Sequence, residues 1–134
     1  MNAISSRTCI RFRQRNGDAD YVYIQRGSVN SGCWSYVGRV GGGQILNLQV
    51  PEYPGAAHCV WTGTVSHELI HAIGYYHEQS RPDRDDFVEI NWSNIPTGLG
   101  SYLMQVTNQT ITNLLFSNGH RCRVQLRQVY MGGS

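Results

Sequence analysis

The sequence predicts an α+β domain in which a twisted sheet of about four strands packs on a single helix. Three observations carry that expectation. Short stretches alternating β-branched or aromatic with polar residues fill the first part of the chain, a run with helical spacing begins at Thr62, and glycine and proline separate the two. The first strand is expected at residues 9–13 and the second at 21–25, with Asn16-Gly17-Asp18 as the turn between them. A third is expected at 34–40 and a fourth at 44–50, divided by Gly41-Gly42-Gly43 and closed by Pro51 and Pro54. In the helix, Val65, Leu69, Ile70, Ala72 and Ile73 recur at the right spacing, with Thr62 or Thr64 as cap and Gly74 as stop. Beyond Asp85 the pattern weakens: 87–91 reads as extended, 94–100 as loop, and 109–116 fits either helix or strand.

At 134 residues and 40% hydrophobic content, the chain suits one small domain spanning residues 1–134, with no repeat, linker or low-complexity stretch to mark a boundary. Its net charge of +2 is eleven arginines, with no lysine, set against nine acidic residues. The arginines are scattered, without the dense run that marks a nucleic-acid partner. No window of about eighteen apolar residues exists to span a bilayer, and residues 1–7 lack a signal-peptide pattern. The cysteines at 9, 33, 59 and 122 are even in number and form no CxxC pair. That fits two disulfides and an oxidising compartment better than a cysteine zinc cluster, the alternative being reduced core thiols. Two sequons, Asn91-Trp92-Ser93 and Asn108-Gln109-Thr110, add little, because such triplets arise easily by chance.

On the expected helix, His67 and His71 stand four residues apart, so their imidazoles leave one face about one turn apart and can grip the same ion. Glu68 follows the first by about 100° of rotation, within reach of a water at that ion without being a ligand, and is the candidate general base. Gly74 can take the left-handed conformation that ends a helix, turning the chain so that His77 approaches as the third ligand. Three imidazoles leave one position of a tetrahedral Zn²⁺ open, the arrangement of a catalytic site, and imply one zinc per chain. Zinc brings the pKa of water to about 7 and polarises a carbonyl, so amide hydrolysis is the expected chemistry. For a bare His-Glu-x-x-His, the bland alternative of surface histidines on an amphipathic helix is competitive. Gly74 and His77 at fixed spacing add two coincidences of about a few per cent each. His58 and His120 have no ligand partner at useful spacing and read as solvated or core side chains.

The string His67-Glu68-Leu69-Ile70-His71-Ala72-Ile73-Gly74-Tyr75-Tyr76-His77 has the form of the metzincin signature. Its continuation Glu78-Gln79-Ser80-Arg81-Pro82-Asp83-Arg84-Asp85-Asp86 resembles the astacin family. So do Thr8-Cys9-Ile10-Arg11-Phe12, Asp20-Tyr21-Val22-Tyr23-Ile24 and Gly32-Cys33-Trp34-Ser35-Tyr36-Val37-Gly38-Arg39 upstream. The likeness covers residues 1 to about 100. It implies a metzincin, zincin-like fold and an endopeptidase cleft in which Trp34, Ser35 and Tyr36 pair with the extended backbone of a protein or peptide substrate. It also implies a disulfide between Cys33 and Cys59 and a distant partner for Cys9, for which Cys122 is the candidate. Glu78 takes the place of a residue that in the family anchors the amino terminus freed when a propeptide is removed. The family's first strand, propeptide and signal peptide would lie before Met1. Past Gly100 the likeness fades, so residues 101–134 are expected as a divergent tail and the C-terminal subdomain as truncated or divergent. No Ser-x-Met-x-Tyr turn is found, and Tyr130-Met131 has the wrong order. The tyrosine of that turn would donate to a developing oxyanion, and such donors are worth about 2.7 to 4 kcal/mol.

Three functions compete. The leading one is a secreted zinc endopeptidase acting on extracellular proteins. The second is a catalytically impaired zinc-binding remnant that serves as an interaction module. The third, a disulfide-stapled binding domain without metal, requires the histidine spacing to be coincidence.

Overall fold

The computed structural model describes residues 1–105 and 129–131. These form two compact units, one of residues 1–75 with the strand at 129–131 and the other beginning at Tyr76.

The first unit is built on a sheet whose described strands run in the order Cys33–Ser35 (β2), Gly43–Gln49 (β3), Tyr21–Gly27 (β1) and Val129–Met131 (β4). β1 (Tyr21–Gly27) and β3 (Gly43–Gln49) run parallel at its centre, from Tyr21 opposite Gly43 to Gly27 opposite Gln49. β2 (Cys33–Ser35) lies antiparallel to β3 on one side, and β4 (Val129–Met131) parallel to β1 on the other. Parallel strands are usually covered on both faces, and β3 accordingly buries Leu46, Asn47 and Leu48 in succession. The core joins these leucines to Ile4 of the short helix α1 (Asn2–Ser5), Ile10, Val22, Cys59 and the Leu69, Ala72 and Ile73 face of α2 (Thr62–Ile73). Full burial of a leucine is worth about 1.5–3 kcal/mol, so Leu46 and Leu69, at 0% and 1% exposure, are principal anchors of helix on sheet.

Asn47 is a polar residue in that core, and its amide is satisfied. It donates to Ser31 Oγ at 3.0 Å and the Gly32 carbonyl at 2.8 Å, and it accepts from Gln25 Nε2 at 3.0 Å. Gly27 makes room for it: a β-carbon there would come within 2.6 Å of the Asn47 amide.

Among the described residues there are four strands, of which β1 and β3 lie where two were expected, while the other two expectations are corrected. Residues 9–13 form no strand, and the Ile10 amide and carbonyl are taken up locally. Thr8 Oγ1 donates to the Ile4 carbonyl and accepts from the Ile10 amide, while Arg11 Nη1 donates to the Ser5, Thr8 and Ile10 carbonyls. The fourth strand is instead β4, at the far end of the chain. The strand expected at 34–40 shrinks to β2. Beyond it, the Gly38 amide donates to the His71 carbonyl at 2.8 Å and the Gly38 carbonyl accepts from Gln44 Nε2 at 2.9 Å, which takes this backbone out of the ladder. α2 begins as expected, yet neither threonine caps it. The residue with extended backbone is Trp61, so Thr62 and Thr64 lie inside the helix, with no side-chain cap bond.

The second unit, from Tyr76 onward, consists of short 3-10 turns at Glu78–Ser80, Arg84–Asp86, Trp92–Asn94 and Gly100–Leu103. The expected extended stretch at 87–91 starts with a turn, the Phe87 and Val88 amides both donating to the Arg84 carbonyl, and residues 88–91 have no regular secondary structure. The ambiguous segment 109–116 lies outside the described residues. No helix among the described residues is long and apolar enough to cross a membrane.

Candidate metal centre

α2 sets His67 and His71 on one face, their ring centroids 4.5 Å apart and their planes at 84°. The helix ends at Gly74, whose φ of 117° is open to glycine and strained for other residues. Its amide donates to the His71 carbonyl at 2.8 Å, and Tyr75 donates to Ile70 at 3.2 Å, closing the last turn. His77 follows, and a ring nitrogen of each of His67, His71 and His77 lies within 4.8 Å of the others. His71 is buried, while His67 and His77 are exposed, so an ion among them would meet protein on one side and be reachable from the other.

His71 Nδ1 sits 2.7 Å from the Tyr75 carbonyl oxygen. A carbonyl can only accept, so Nδ1 carries the proton and Nε2 keeps its lone pair for an ion. The His71 carbonyl accepts from two amides, Gly38 and Gly74, each at 2.8 Å. Gly38 is held in turn by the buried Gln44, which also accepts from the Val40 amide at 3.2 Å.

Glu68 is 4% exposed, and its Oε2 is buried with no hydrogen-bond partner among the described residues. Burial pushes its carboxyl above the ordinary carboxylate value, with His71 and His67 pulling in the opposite direction. A buried carboxylate oxygen without a partner is costly unless a water or cation completes it. Three imidazole nitrogens suit zinc, whereas Ca²⁺ and Mg²⁺ take oxygen ligands, so the residues present fit Zn²⁺ with one position open.

Trp34 and Ser35 lie on β2, and Tyr36 just beyond its end. Trp34 and Tyr36 are 40% and 48% exposed and meet edge-to-face at 6.0 Å. Among the described residues β2 is hydrogen-bonded along one side only, to β3. A disulfide joins Cys33 to Cys59. Cys122, the expected partner of Cys9, lies outside the described residues, as does His120. Glu78 is exposed and accepts from Arg81 at 3.2 Å. His58 stands apart from the histidine cluster, stacked on Trp61 at 4.8 Å with its Nδ1 accepting from the Val60 amide at 3.1 Å.

Sequence reasoning missed the groups that hold the ligands. The Tyr75 carbonyl and Gly38 amide are backbone atoms that no motif marks. Gln44 sits in a strand where a polar residue reads as solvent-facing. Arg84, within the quoted astacin-like string, is buried at 6% exposure, against the habit of its charge.

Residues 1–118 match the sequence profile of the Astacin peptidase family, eighteen residues beyond the span of the motif-based likeness. The chain is 47% identical over 95 residues to zinc metalloproteinase nas-14 of Caenorhabditis elegans, an overlap of 70% of this chain and 18% of that protein. It is 39% identical over 119 residues to high choriolytic enzyme 2 of Oryzias latipes, covering 88% of this chain and 39% of that one. The solved structure of high choriolytic enzyme 1, a hatching enzyme zinc-protease of the same fish, superposes with a TM-score of 0.68 at 37% identity. That match covers 80% of this chain and 49% of the solved one, so the chain spans less than half the length of each of these relatives. With its histidine triad positioned to bind one zinc ion, the chain belongs to the astacin family of peptidases.

Proposed function

We propose that this chain is a zinc-dependent endopeptidase that hydrolyses peptide bonds of extracellular proteins, with Glu68 as its general base. The observation that carries the reading is the cluster of three imidazoles beside a buried carboxylate with an unpartnered oxygen. When bound, zinc supplies Lewis acidity, polarising the scissile carbonyl and making water acidic enough to lose a proton near neutrality. Glu68 accepts that proton and passes it to the amide nitrogen as the C–N bond breaks, a role suited to a carboxyl raised by burial. The Tyr75 carbonyl keeps His71 in the tautomer whose Nε2 is unprotonated and suited to ligate an ion. The open side of β2 is suited to receive an extended substrate, with Trp34 and Tyr36 flanking it. An extracellular setting is supported by the Cys33–Cys59 disulfide.

Glu68→Gln is expected to lower kcat/KM on a quenched peptide by about 10²- to 10⁴-fold while zinc stays stoichiometric. Cleavage unaffected by Glu68→Gln or by a zinc chelator would sink the mechanism.

A further inference from the structure

Two of the three ligand histidines owe their placement to a helix, but the third does not. His77 has extended backbone, φ −63° and ψ 141°, just ahead of the turn Glu78–Ser80. A ligand on irregular chain must be ordered by something else, or its ordering entropy is charged against metal affinity. One local tie is the Ser80 amide, which donates to the His77 carbonyl at 2.9 Å. The turn itself is gripped from below by Arg84, whose Nη1 donates to the Gln79 carbonyl at 2.9 Å and also to the Leu103 carbonyl.

Arg84 is unusual in being a buried guanidinium whose carboxylate partner, Asp85, is 65% exposed. Such an ion pair could form on the surface, so pairing with Asp85 does not explain the burial. Taking a guanidinium out of water is costly unless its donors are used. The donors are used on two backbone carbonyls twenty-four positions apart, one of them two residues past His77. A planar fork with several fixed donors can span such a pair of acceptors, where a lysine ammonium is a single point. Asp85 receives Nε at 2.9 Å and is itself steadied by Gln105 Nε2 at 3.2 Å.

We infer that Arg84 is a positioning residue for His77: by clamping the Gln79 carbonyl to the Leu103 segment it holds the Glu78–Ser80 turn, and through it the third imidazole, in the geometry that receives zinc. The inference rests on the reading of His77 as a ligand. In the full chain, Arg84→Met is expected to weaken Zn²⁺ binding about 10- to 100-fold in competition with a chromophoric chelator, with Arg84→Lys in between. Leu48→Ala, a core substitution in the other unit that lowers stability, is expected to leave Zn²⁺ affinity at the parent value. In metal-free protein the His77 imidazole and amide NMR signals should shift and broaden in Arg84→Met, while those of His67 and His71 hold. Parent-like affinity and unchanged His77 signals in a folded Arg84→Met would overturn the inference, as would an equal loss of affinity in Leu48→Ala. Should Arg84→Met fail to fold, folded Arg84→Lys decides: weakened zinc binding supports the clamp, and parent-like binding removes it. If the parent itself bound no zinc, the proposed function would fail, and the metal-free His77 signals would still decide the role of Arg84.

Discussion

At the scale of single residues, Gly74 does work that no other amino acid would do as well. Its φ of 117° lies where a β-carbon meets the neighbouring backbone, at a cost of about 1–2 kcal/mol. Gly74→Ala is therefore expected to lower the unfolding free energy by about that amount in a urea titration. Because the same turn carries the chain from His71 to His77, zinc affinity should fall with it. An alanine variant as stable as the parent would show that the turn tolerates another conformation. Glu68 and Arg84 present the opposite case, buried groups whose charge the sequence pattern assigns to the surface. In a helix read only for periodicity, Glu68 is one more polar residue. Its burial follows from where the Leu69, Ala72 and Ile73 face meets the core.

At the scale of elements, β2 is the weak member of the sheet and lies beside the proposed substrate path. It has three residues and pairs only with β3 among the described strands. The disulfide fastens it to Cys59, two residues ahead of the Trp61 cap of α2, so strand and site helix are tied covalently. For a sequence separation of 26, loop-closure entropy alone puts the contribution at about 3.5 kcal/mol. Replacing both cysteines by serine should lower stability by roughly that much in equilibrium unfolding. A double variant that unfolds at the parent's urea midpoint would mean that the β2–β3 ladder suffices. The misplaced strand at 9–13 belongs to this scale too. Its alternation suited a strand, but Thr8 and Arg11 offered the Ile10 backbone nearer partners, and the strand beside β1 is Val129–Met131.

For the molecule as a whole, acid tolerance is tied to carboxylates with arginine partners, among them Asp20 and Asp83. Arg39 holds Asp20 below its ordinary value near 3.8, helped by the Gly42 amide, and Arg81 does the same for Asp83. Both carboxyls are depressed in the folded state, so their contribution is fully present above about pH 3.8 and is lost as pH falls through the lower folded values. Asp20→Asn should therefore flatten the fall in thermal midpoint below pH 4, and an unchanged acid slope would count against the Asp20–Arg39 pair. The histidine triad positioned for zinc was readable from sequence, because His67, Glu68, His71 and the helix stop Gly74 lie within one or two turns of a helix. Spacing along such a helix fixes direction without help from the rest of the chain. The family was readable for the same reason, in contiguous strings. Only the tertiary structure decided which segments share the sheet, which nitrogen of His71 meets the Tyr75 carbonyl and which carbonyls the buried Arg84 reaches. Each of those depends on backbone groups brought together from positions far apart, and a linear pattern carries no record of which carbonyl a buried donor will meet.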